Sequence, residues 1–253
     1  MLFNGKIVLV TGSSRGIGKA IAETFAEKGA IVVVHGSQSS TSLNQTYENV
    51  VKQSPDSIKI TTDLSKSTNI ESMFTKIMNK FGKVDILVNN AAVQNQVQFV
   101  DLSEADWDHV MNVNLKAPFL CSQHAARSMI ANGGGKIINI GSVHEIQPKR
   151  HYAHYSSAKG GLLMLTKNMA MELAPNNIQV NQLCIGAVDT EMTDPTRQEL
   201  LMSSLPVGRV SSPREIAEMT CFLASSAADY VTGTSIVIDG GLTLGFCATR
   251  PDL

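Results

Sequence analysis

The stretch TGSSRGIG, residues 11–18, decides the fold of this chain. It follows KIVLV (6–10), an apolar run rich in β-branched residues that is typical of a buried strand. It leads into GKAIAETFAEKGA (18–30), where apolar residues recur at helical spacing and a glycine near the end is a stop signal. A glycine-rich turn between a buried strand and a helix predicts the first unit of an α/β sheet.

The three glycines of this turn have the spacing G-x-x-x-G-x-G, a variant of the dinucleotide-binding fingerprint. Gly12 is expected to permit the tight turn, Gly16 to let a ligand approach the backbone, and Gly18 to let the helix pack closely on the sheet. The N–H groups at the start of the helix would then face a pyrophosphate. The alternative is a plain glycine-rich turn without a ligand.

Beyond this unit, short apolar runs alternate with helical segments. Further strands are predicted at IVVVH (31–35), SIKITTD (57–63), VDILVNNAA (84–92), KIINIGS (136–142), IQVNQLC (178–184) and SIVID (235–239), and helices at about 42–53, 67–81, 104–131, 152–174 and 213–224. Seven strands with helical crossovers predict an α/β fold: a single Rossmann-type, doubly wound, seven-stranded parallel sheet with helices on both faces. No linker or repeat interrupts the order, so residues 1–253 are expected to form one domain.

Composition limits the classes of partner. The chain of 253 residues has a formal net charge of −1 and no basic run, which argues against binding to nucleic acid or to a membrane surface. The four cysteines, Cys121, Cys184, Cys221 and Cys247, have no C-x-x-C spacing, so we expect buried thiols, no disulfide framework and no metal site. The N-terminus lacks the order of a signal peptide, and a cytoplasmic protein is expected.

The region after the second strand bears on which nucleotide binds. Sites for NAD place a carboxylate there to bind the ribose 2′-hydroxyl, but VVVHGSQSSTSLNQ (32–45) contains none. It offers the hydroxyls of Ser37 and Ser39, while Arg15 lies in the glycine-rich turn. An arginine with hydroxyl donors suits a 2′-phosphate, so NADP(H) is expected to be preferred over NAD(H). The alternative is an Arg15 side chain that is simply solvated.

The segment HYAHYSSAKGG (151–161) contains a candidate catalytic pair. Tyr155 and Lys159 are four residues apart and share one helical face, whereas Tyr152 is seven residues from Lys159. A nearby cation favours the phenolate, so the pKa of Tyr155 is expected to fall toward neutrality if Lys159 and the positive charge of a nicotinamide act together, which suits an acid or base in hydride transfer. Ser142, at the end of KIINIGS, would hold the substrate oxygen beside it.

With these motifs in place, the chain resembles the short-chain dehydrogenase/reductase family over essentially its whole length. The matching motifs are TGSSRGIG (11–18), NNAA (89–92), NVNL (112–115), IGSV (140–143) and YSSAK (155–159). The resemblance implies a catalytic tetrad of Asn114, Ser142, Tyr155 and Lys159. In the family the serine orients the substrate oxygen and the tyrosine is the acid and base. The lysine binds the nicotinamide ribose and tunes the tyrosine, and the asparagine holds a water in a proton relay.

The resemblance also implies a set of cofactor contacts. Asp63 and Leu64 are expected at the adenine, Asn89 and Ala91 at the ribose, and Thr190 at the nicotinamide. In chain order the expected contacts are Gly12, Ser14, Arg15, Gly16, Ile17, Gly18, Ser37, Asp63, Leu64, Asn89, Ala91, Tyr155, Lys159, Gly186, Val188 and Thr190. Two departures from the family pattern are Ala92, where the family has glycine, and Ile185, where it has proline. Neither removes a reactive group, so activity is still expected.

The substrate is less determined than the reaction. The glycine-rich turn and GKVDILVNNA (82–91) are similar to bacterial 3-oxoacyl carrier-protein reductases, whereas GSVHE (141–145) is similar to bacterial glucose 1-dehydrogenases. Ser142, Tyr155, His144 and Gln94 are the candidate substrate contacts, and His144 could instead be a surface histidine. A polar pocket is expected, shaped in part by the loop at 190–210. A catalytically idle NADP(H) sensor is the non-enzymatic alternative.

Assembly is expected from the same resemblance. The helices at about 104–131 and 152–174 carry more apolar residues than one sheet face needs, and SIVIDGGLTLGF (235–246) is also apolar. In the family such helices pair across the interfaces of a tetramer. A homotetramer acting on a small molecule is therefore expected.

Overall fold

The computed structural model describes residues 1–191 and 205–244. Its strands are β1 Ile7–Val10, β2 Ile31–Gly36, β3 Ile58–Thr61, β4 Ile86–Asn89, β5 Gly135–Ile140, β6 Ile178–Ile185 and β7 Ser235–Ile238. Its α-helices are α1 Gly16–Glu27, α2 Thr41–Gln53, α3 Ser67–Phe81, α4 Glu104–Met111, α5 Ala117–Ala131, α6 Ala153–Leu173 and α7 Pro213–Ala224. Each matches a predicted element to within a few residues, apart from the helix at 104–131.

The strands form one sheet in the order β3-β2-β1-β4-β5-β6-β7, and every pair in it is parallel. The predicted doubly wound sheet is confirmed. The chain order reverses beside β1, which has β2 on one side and β4 on the other. In open α/β sheets, ligands bind outside the carboxyl ends of the strands at this switch point.

Helices cover both faces of the sheet because successive side chains of a strand point to opposite sides. Val8 and Val10 of β1 pack with α1, α2 and α7 in one hydrophobic cluster. Leu9, between them, packs with α3, α5 and α6 in the other cluster. No helix in the described parts of the chain is long and apolar enough to cross a membrane.

The predicted helix at 104–131 is interrupted by a π-helical turn at Asn112–Lys116. Pro118 has no N–H, so it cannot donate the α-helical hydrogen bond to the carbonyl of Asn114. Single π turns inside α-helices often occur at functional sites. The predicted helix at 104–131 is confirmed in its extent, and the π turn that contains Asn114 is a feature the prediction did not include.

A row of polar side chains crosses the sheet on the face covered by α5 and α6. Asn89, Asn139, Gln182 and Ser235 are consecutive partners in the register of β4, β5, β6 and β7. Asn89 Nδ2 donates to Asn139 Oδ1 at 2.9 Å, and Asn139 Nδ2 donates to Thr166 Oγ1 of α6 at 2.8 Å. Thr166 also contacts Gln182 Oε1 at 3.0 Å. This polar row satisfies amides that would otherwise be costly to bury.

Three of the four cysteines lie within the described residues. Cys121, Cys184 and Cys221 are buried and free, as expected, and burial raises the pKa of each of their thiols to about 12. They therefore pack as small apolar side chains. Cys247 lies outside the described residues.

Candidate active site

A cleft of about 570 Å³ opens at the carboxyl ends of the strands, at the switch point of the sheet. Its walls come from the segments that follow β1, β2, β3 and β4 and from the ends of β5 and β6. The lining residues are Gly12, Ser14, Arg15, Gly16, Ile17, Gly18, His35, Gly36, Ser37, Gln38, Asp63, Leu64, Asn90, Ala91, Ala92, Val93, His109, Val113, Ile140, Gly141, Tyr155, Lys159, Ile185, Thr190 and Glu191. Most of the expected cofactor contacts therefore share one cleft.

The glycine-rich turn forms a shallow cradle at the start of α1. Gly12 has φ +64°, and a Cβ placed on it would lie 2.7 Å from the Cα of Ala91. A Cβ on Gly18 would collide with the carbonyl of Gly12 and with the Asn90 amide, as the predicted close packing requires. The N-cap of α1, Arg15, makes no side-chain cap, so its first-turn N–H groups face the cleft without that acceptor. The cradle fits a pyrophosphate, and the cleft has the depth and volume for a dinucleotide.

His35 holds this turn in place, although the sequence offered no motif for it. It is buried at the end of β2, where its Nδ1 accepts from Gly12 N at 3.0 Å and its Nε2 contacts Thr62 O at 2.9 Å. Since the first partner donates and the second accepts, His35 is the neutral tautomer with its proton on Nε2. Burial lowers the pKa of His35 to about 4, against the opposing bond to Thr62.

His35 therefore makes the fold sensitive to acid. In the unfolded chain His35 becomes protonated below its ordinary pKa of 6.5, whereas in the folded protein it stays neutral down to a pH of about 4. The free energy of unfolding is therefore highest above pH 6.5. It falls by about 3 kcal/mol in total as the pH decreases from 6.5 to about 4. Urea unfolding at several pH values should show a flatter acid slope in His35→Asn. An equal slope in the two proteins would contradict this assignment.

The adenosine end of the cleft carries the residues expected for a 2′-phosphate. Ser37 and Arg15 line it together with Gln38, whereas Ser39 does not. Arg15 Nη1 lies 2.9 Å from Glu191 Oε2, and both side chains are exposed. An exposed pair of this kind is weak and leaves the guanidinium exchangeable. Asp63 and Leu64 lie on the opposite wall, where two bonds from Ser65 hold the pKa of the Asp63 carboxyl below its usual value.

The three residues expected to do the chemistry meet at the inner end of the cleft. The Ser142 side chain lies near enough to the Tyr155 hydroxyl to lower the pKa of that phenol. Lys159, one turn further along α6, has its Nζ 5.6 Å from the centre of the Tyr155 ring. The same Nζ donates to the carbonyl of Ile140 at 2.7 Å, so the ammonium is fixed to the end of β5. All three side chains are buried, which strengthens their electrostatic interactions.

The ionisation of Tyr155 and Lys159 reflects their burial. Burial raises the pKa of Tyr155 to about 12, since the phenolate loses more hydration than the neighbouring Ser142 hydroxyl restores. Burial also lowers the pKa of Lys159 to about 8, against the opposing attraction of Glu145. The expectation that Lys159 and the positive charge of a nicotinamide together tune Tyr155 toward neutrality stays a prediction.

Asn114 lies at the π turn and anchors the segment after β4. Its Nδ2 donates to Val93 O and its Oδ1 accepts from Val93 N, each at 2.8 Å. Both ends of the side-chain amide are thus committed to the backbone of Val93. The backbone carbonyl of Asn114 receives no α-helical hydrogen bond, because the residue four positions later is Pro118, which has no N–H.

Three expected cofactor contacts do not line the cleft. Asn89 points to the α5 face, where its amide donates to Ser122 Oγ at 3.0 Å and to the polar row, and Asn90 lines the cleft instead. Val188 lies in the hydrophobic core. Gly186 pairs with β7 and packs against Asp239. Successive side chains of a strand point to opposite faces, so when one residue faces the cleft its neighbour faces away from it. A family motif does not show which of the two faces the cleft.

The two departures from the family pattern are both accommodated. Ala92 lines the cleft and has no positive φ, since His151 and Asn177 are the non-glycine residues of the described ranges with that conformation. Ile185 ends β6 and also lines the cleft. The substitutions therefore leave the wall of the cleft intact.

Of the expected substrate contacts, Tyr155 lines the cleft, whereas Ser142, His144 and Gln94 do not. The His144 ring meets the Tyr155 ring edge-on, with centroids 6.2 Å apart, and burial lowers the pKa of His144. Gln94 is half-buried in the segment anchored by Asn114. His154 is fully buried and contacts Asn95 at 2.7 Å, which makes it a packing residue. Most of the loop at 190–210, namely 192–204, lies outside the described residues.

Known proteins share this fold. The family model described as Enoyl-(Acyl carrier protein) reductase matches residues 12–243. The 3-oxoacyl-[acyl-carrier-protein] reductase FabG of Aquifex aeolicus is 37% identical over 241 residues, covering 94% of this chain and 97% of its own. A putative short-chain alcohol dehydrogenase from Sinorhizobium meliloti superposes with a TM-score of 0.91 at 34% identity, covering 96% and 98% of the two chains. A putative gluconate dehydrogenase from Agrobacterium tumefaciens gives 0.89 at 36%, covering 95% and 96%.

Fold and cleft together define a nucleotide-dependent oxidoreductase with a Rossmann-type sheet. The chain belongs to the short-chain dehydrogenase/reductase family. It is accordingly an NAD(P)-dependent enzyme that acts on CH–OH and C=O groups.

Proposed function

We propose that this protein interconverts a ketone and a secondary alcohol on a polar or hydroxylated small molecule, with NADP(H) as cofactor and Asn114, Ser142, Tyr155 and Lys159 as its site. The observation that carries the proposal is that the buried Tyr155 and Lys159, with Lys159 Nζ 5.6 Å from the Tyr155 ring and the Ser142 side chain beside the phenol, line the same cleft as the glycine-rich turn. This places a proton donor, a second hydroxyl and a fixed cation around one point.

A bound nicotinamide supplies the hydride for reduction and accepts it for oxidation. In reduction, the Tyr155 hydroxyl donates its proton to the substrate oxygen as negative charge develops there, and in oxidation the tyrosinate removes that proton. The Ser142 hydroxyl holds the oxygen within reach of Tyr155. Lys159, held by the carbonyl of Ile140, places a positive charge that stabilises the tyrosinate.

The burial of the pair bears on its protonation near neutral pH. With its pKa raised to about 12, Tyr155 carries the proton that reduction of a carbonyl consumes. With a pKa of about 8, Lys159 remains mostly cationic at pH 7.

The preference for NADP(H) rests on Arg15 and Ser37. Both line the adenosine end of the cleft, and the segment after β2 brings no carboxylate that would repel a 2′-phosphate. The acidic group beside Arg15 is Glu191, across an exposed ion pair. A dianionic phosphate displaces a single carboxylate from a guanidinium because it offers more charge and more acceptors.

Replacement of Arg15 by alanine tests this preference. We expect the Kd of NADPH to rise about 10- to 100-fold, since a charge-assisted contact is lost, and the Kd of NADH to change by less than about threefold. Fluorescence titration of both cofactors measures the two constants. Lys19→Ala is the control, since Lys19 is also a cation of this region but does not line the cleft. Equal losses for NADPH and NADH would contradict the role of Arg15.

A polar substrate is supported by His144 beside Tyr155 and by the half-buried Gln94. One structurally similar protein is described as a putative gluconate dehydrogenase, and gluconate is a hydroxylated molecule. The second candidate is reduction of a 3-oxoacyl carrier-protein thioester, favoured by the name of the Aquifex aeolicus relative. Oxidation of glucose is a variant of the first candidate, because GSVHE (141–145) is similar to the corresponding segment of bacterial glucose 1-dehydrogenases.

A substrate panel separates these candidates. The loss of NADPH absorbance is followed with hydroxyketones, keto-sugars and 3-oxoacyl thioesters, and its gain with polyols and NADP⁺. Turnover of the hydroxylated compounds supports the first candidate, and selective turnover of thioesters supports the second. Tight NADPH binding without turnover of any compound would support a nucleotide sensor instead.

Domain organisation, assembly and location belong to the same proposal. We infer one domain over residues 1–253, a homotetramer and a cytoplasmic location. Apolar side chains are exposed on α5 (Phe119), on α6 (Met164 and Met171) and on β7 (Val237), the elements expected to form the subunit interfaces. Covering such side chains is the usual reason for symmetric association.

A further inference from the structure

Glu145 lies directly behind the serine of the proposed site. Ser142 is the N-cap of the short 3₁₀ helix Val143–Glu145, and its Oγ accepts from His144 N at 3.2 Å. The Glu145 side chain turns back, and its Oε2 accepts from Ser142 N at 3.2 Å. The two residues thus fix each other in a reciprocal capping box.

Glu145 is also tied to two strands of the sheet. Its Oε2 accepts from Gln182 Nε2 of β6 at 2.6 Å, and its Oε1 accepts from Ser235 Oγ of β7 at 2.7 Å. A carboxylate only accepts, and each of the three partners donates, so the side chain is held from three directions. An ordinary capping glutamate in a surface turn has no such strand contacts.

The polar row extends this anchorage across the sheet. Gln182 presents its Nε2 to Glu145 because its Oε1 faces Thr166, which in turn accepts from Asn139. All three of these residues are buried. The Ser142 backbone is therefore anchored to the centre of the sheet, through Glu145 and Gln182, rather than to a mobile turn.

Glu145 also contributes charge to the site. Beyond the effects of burial, its carboxylate raises the pKa of Tyr155 and that of Lys159. The titratable groups near Tyr155 are Lys159 on its own helix, and Glu145 and His144 on the 3₁₀ helix. Glu145 is the anionic member of this group, and it opposes formation of the tyrosinate.

We propose that Glu145 is a positioning residue of this enzyme, which fixes Ser142 beside Tyr155 through the capping box and its two strand contacts, and which places a carboxylate directly behind that serine. The inference rests on the proposed function of Ser142, Tyr155 and Lys159. It adds Glu145 to these residues as a side chain that touches neither substrate nor cofactor and acts through the serine and through its charge.

Two substitutions separate position from charge. Glu145→Ala removes both, and leaves Ser142 N and Gln182 Nε2 without their acceptor. Glu145→Gln removes the charge alone, because its oxygen accepts from Ser142 and Gln182 while its amide donates to Ser235, whose hydroxyl accepts as well as it donates. Glu215→Ala is the matched control, since Glu215 forms the same capping box with Ser212 at the start of α7 and does not line the cleft.

For Glu145→Ala we expect kcat to fall about 10- to 100-fold with the Kd of NADPH within about threefold, because a displaced hydroxyl misaligns the substrate oxygen. Glu145→Gln should recover most of that kcat. In Glu145→Gln with NADP⁺ bound, the ¹³Cζ resonance of Tyr155, assigned with Tyr155→Phe, should titrate at least about half a pH unit lower than in the wild type. That NMR readout needs no substrate.

The outcomes separate this inference from the proposed function. If Glu145→Ala lowers kcat no more than Glu215→Ala does, or loses NADPH binding and kcat by the same factor, Glu145 is not a positioning residue. An unchanged Tyr155 titration in Glu145→Gln overturns the charge effect. If Tyr155→Phe keeps full activity, the proposed site itself is wrong, whatever Glu145 does.

Discussion

Replacing Tyr155 by phenylalanine will lower turnover by at least about 10³-fold, since it removes the hydroxyl that gives the substrate oxygen its proton. The ring remains and still packs beside His144, so the fold and the cofactor cleft are kept. The Kd of NADPH should stay within about threefold of the wild-type value. Steady-state kinetics on the best substrate of the panel, with a parallel NADPH titration, measures both quantities.

Tyr152→Phe is the control for this experiment. Tyr152 lies just before α6, and its ring is contacted by Lys149 Nζ at 4.1 Å from the centroid, outside the cleft. Removal of its hydroxyl should change turnover by less than about threefold. Full activity in Tyr155→Phe, or a loss in Tyr152→Phe as large as that in Tyr155→Phe, would show that the acid and base has been misassigned.

The second large effect is expected at the glycine-rich turn. Gly12→Ala should weaken NADPH binding about 100-fold or more, because the added Cβ lies 2.7 Å from the Cα of Ala91 and the backbone must keep φ +64°. The turn has to move to relieve that contact, and its N–H groups then no longer face the pyrophosphate. Isothermal titration with NADPH measures the loss.

Gly82 provides a matched control for this substitution. It ends α3 with φ +72°, and a Cβ placed on it meets nothing within 4 Å. Gly82→Ala therefore carries only the backbone cost of a left-handed residue, about 1–2 kcal/mol of unfolding free energy, and should leave NADPH binding unchanged. If Gly12→Ala and Gly82→Ala gave the same small effect on NADPH binding, close approach at the turn would not matter.

The fold was predictable because its signals are local. β-branched runs and glycine-rich turns mark the strands, and seven strands with crossovers leave few topologies. The helix at 104–131 was predicted in its extent but without its π turn, because a periodic pattern does not register the effect of Pro118 on the carbonyl four residues earlier. Strand alternation decides which residues of a motif face the site, so NNAA could be found from the sequence, but not that Asn90 rather than Asn89 lines the cleft.

Electrostatics in the site was the part that the sequence could not provide. The pKa of Tyr155 depends on how deeply α6 packs on the sheet, and Glu145 reaches the site through a capping box and two strands that are distant in sequence. His35 was likewise invisible, because its role needs Gly12 and Thr62 brought together by the sheet. Such contacts join residues with no fixed spacing along the chain.

The polar row also bears on how the strands find one another during folding. If β5 slid by two residues along β4, apolar side chains would still face apolar helices, and hydrophobicity alone would not reject the error. The amide of Asn89 would then face Ile137 or Gly141 in place of Asn139, and each orphaned amide would cost about 1–3 kcal/mol. The row therefore selects the native register, because a slipped sheet leaves buried amides without hydrogen-bond partners and so has a higher free energy. The native register is the one that brings Ser142 and Tyr155 together.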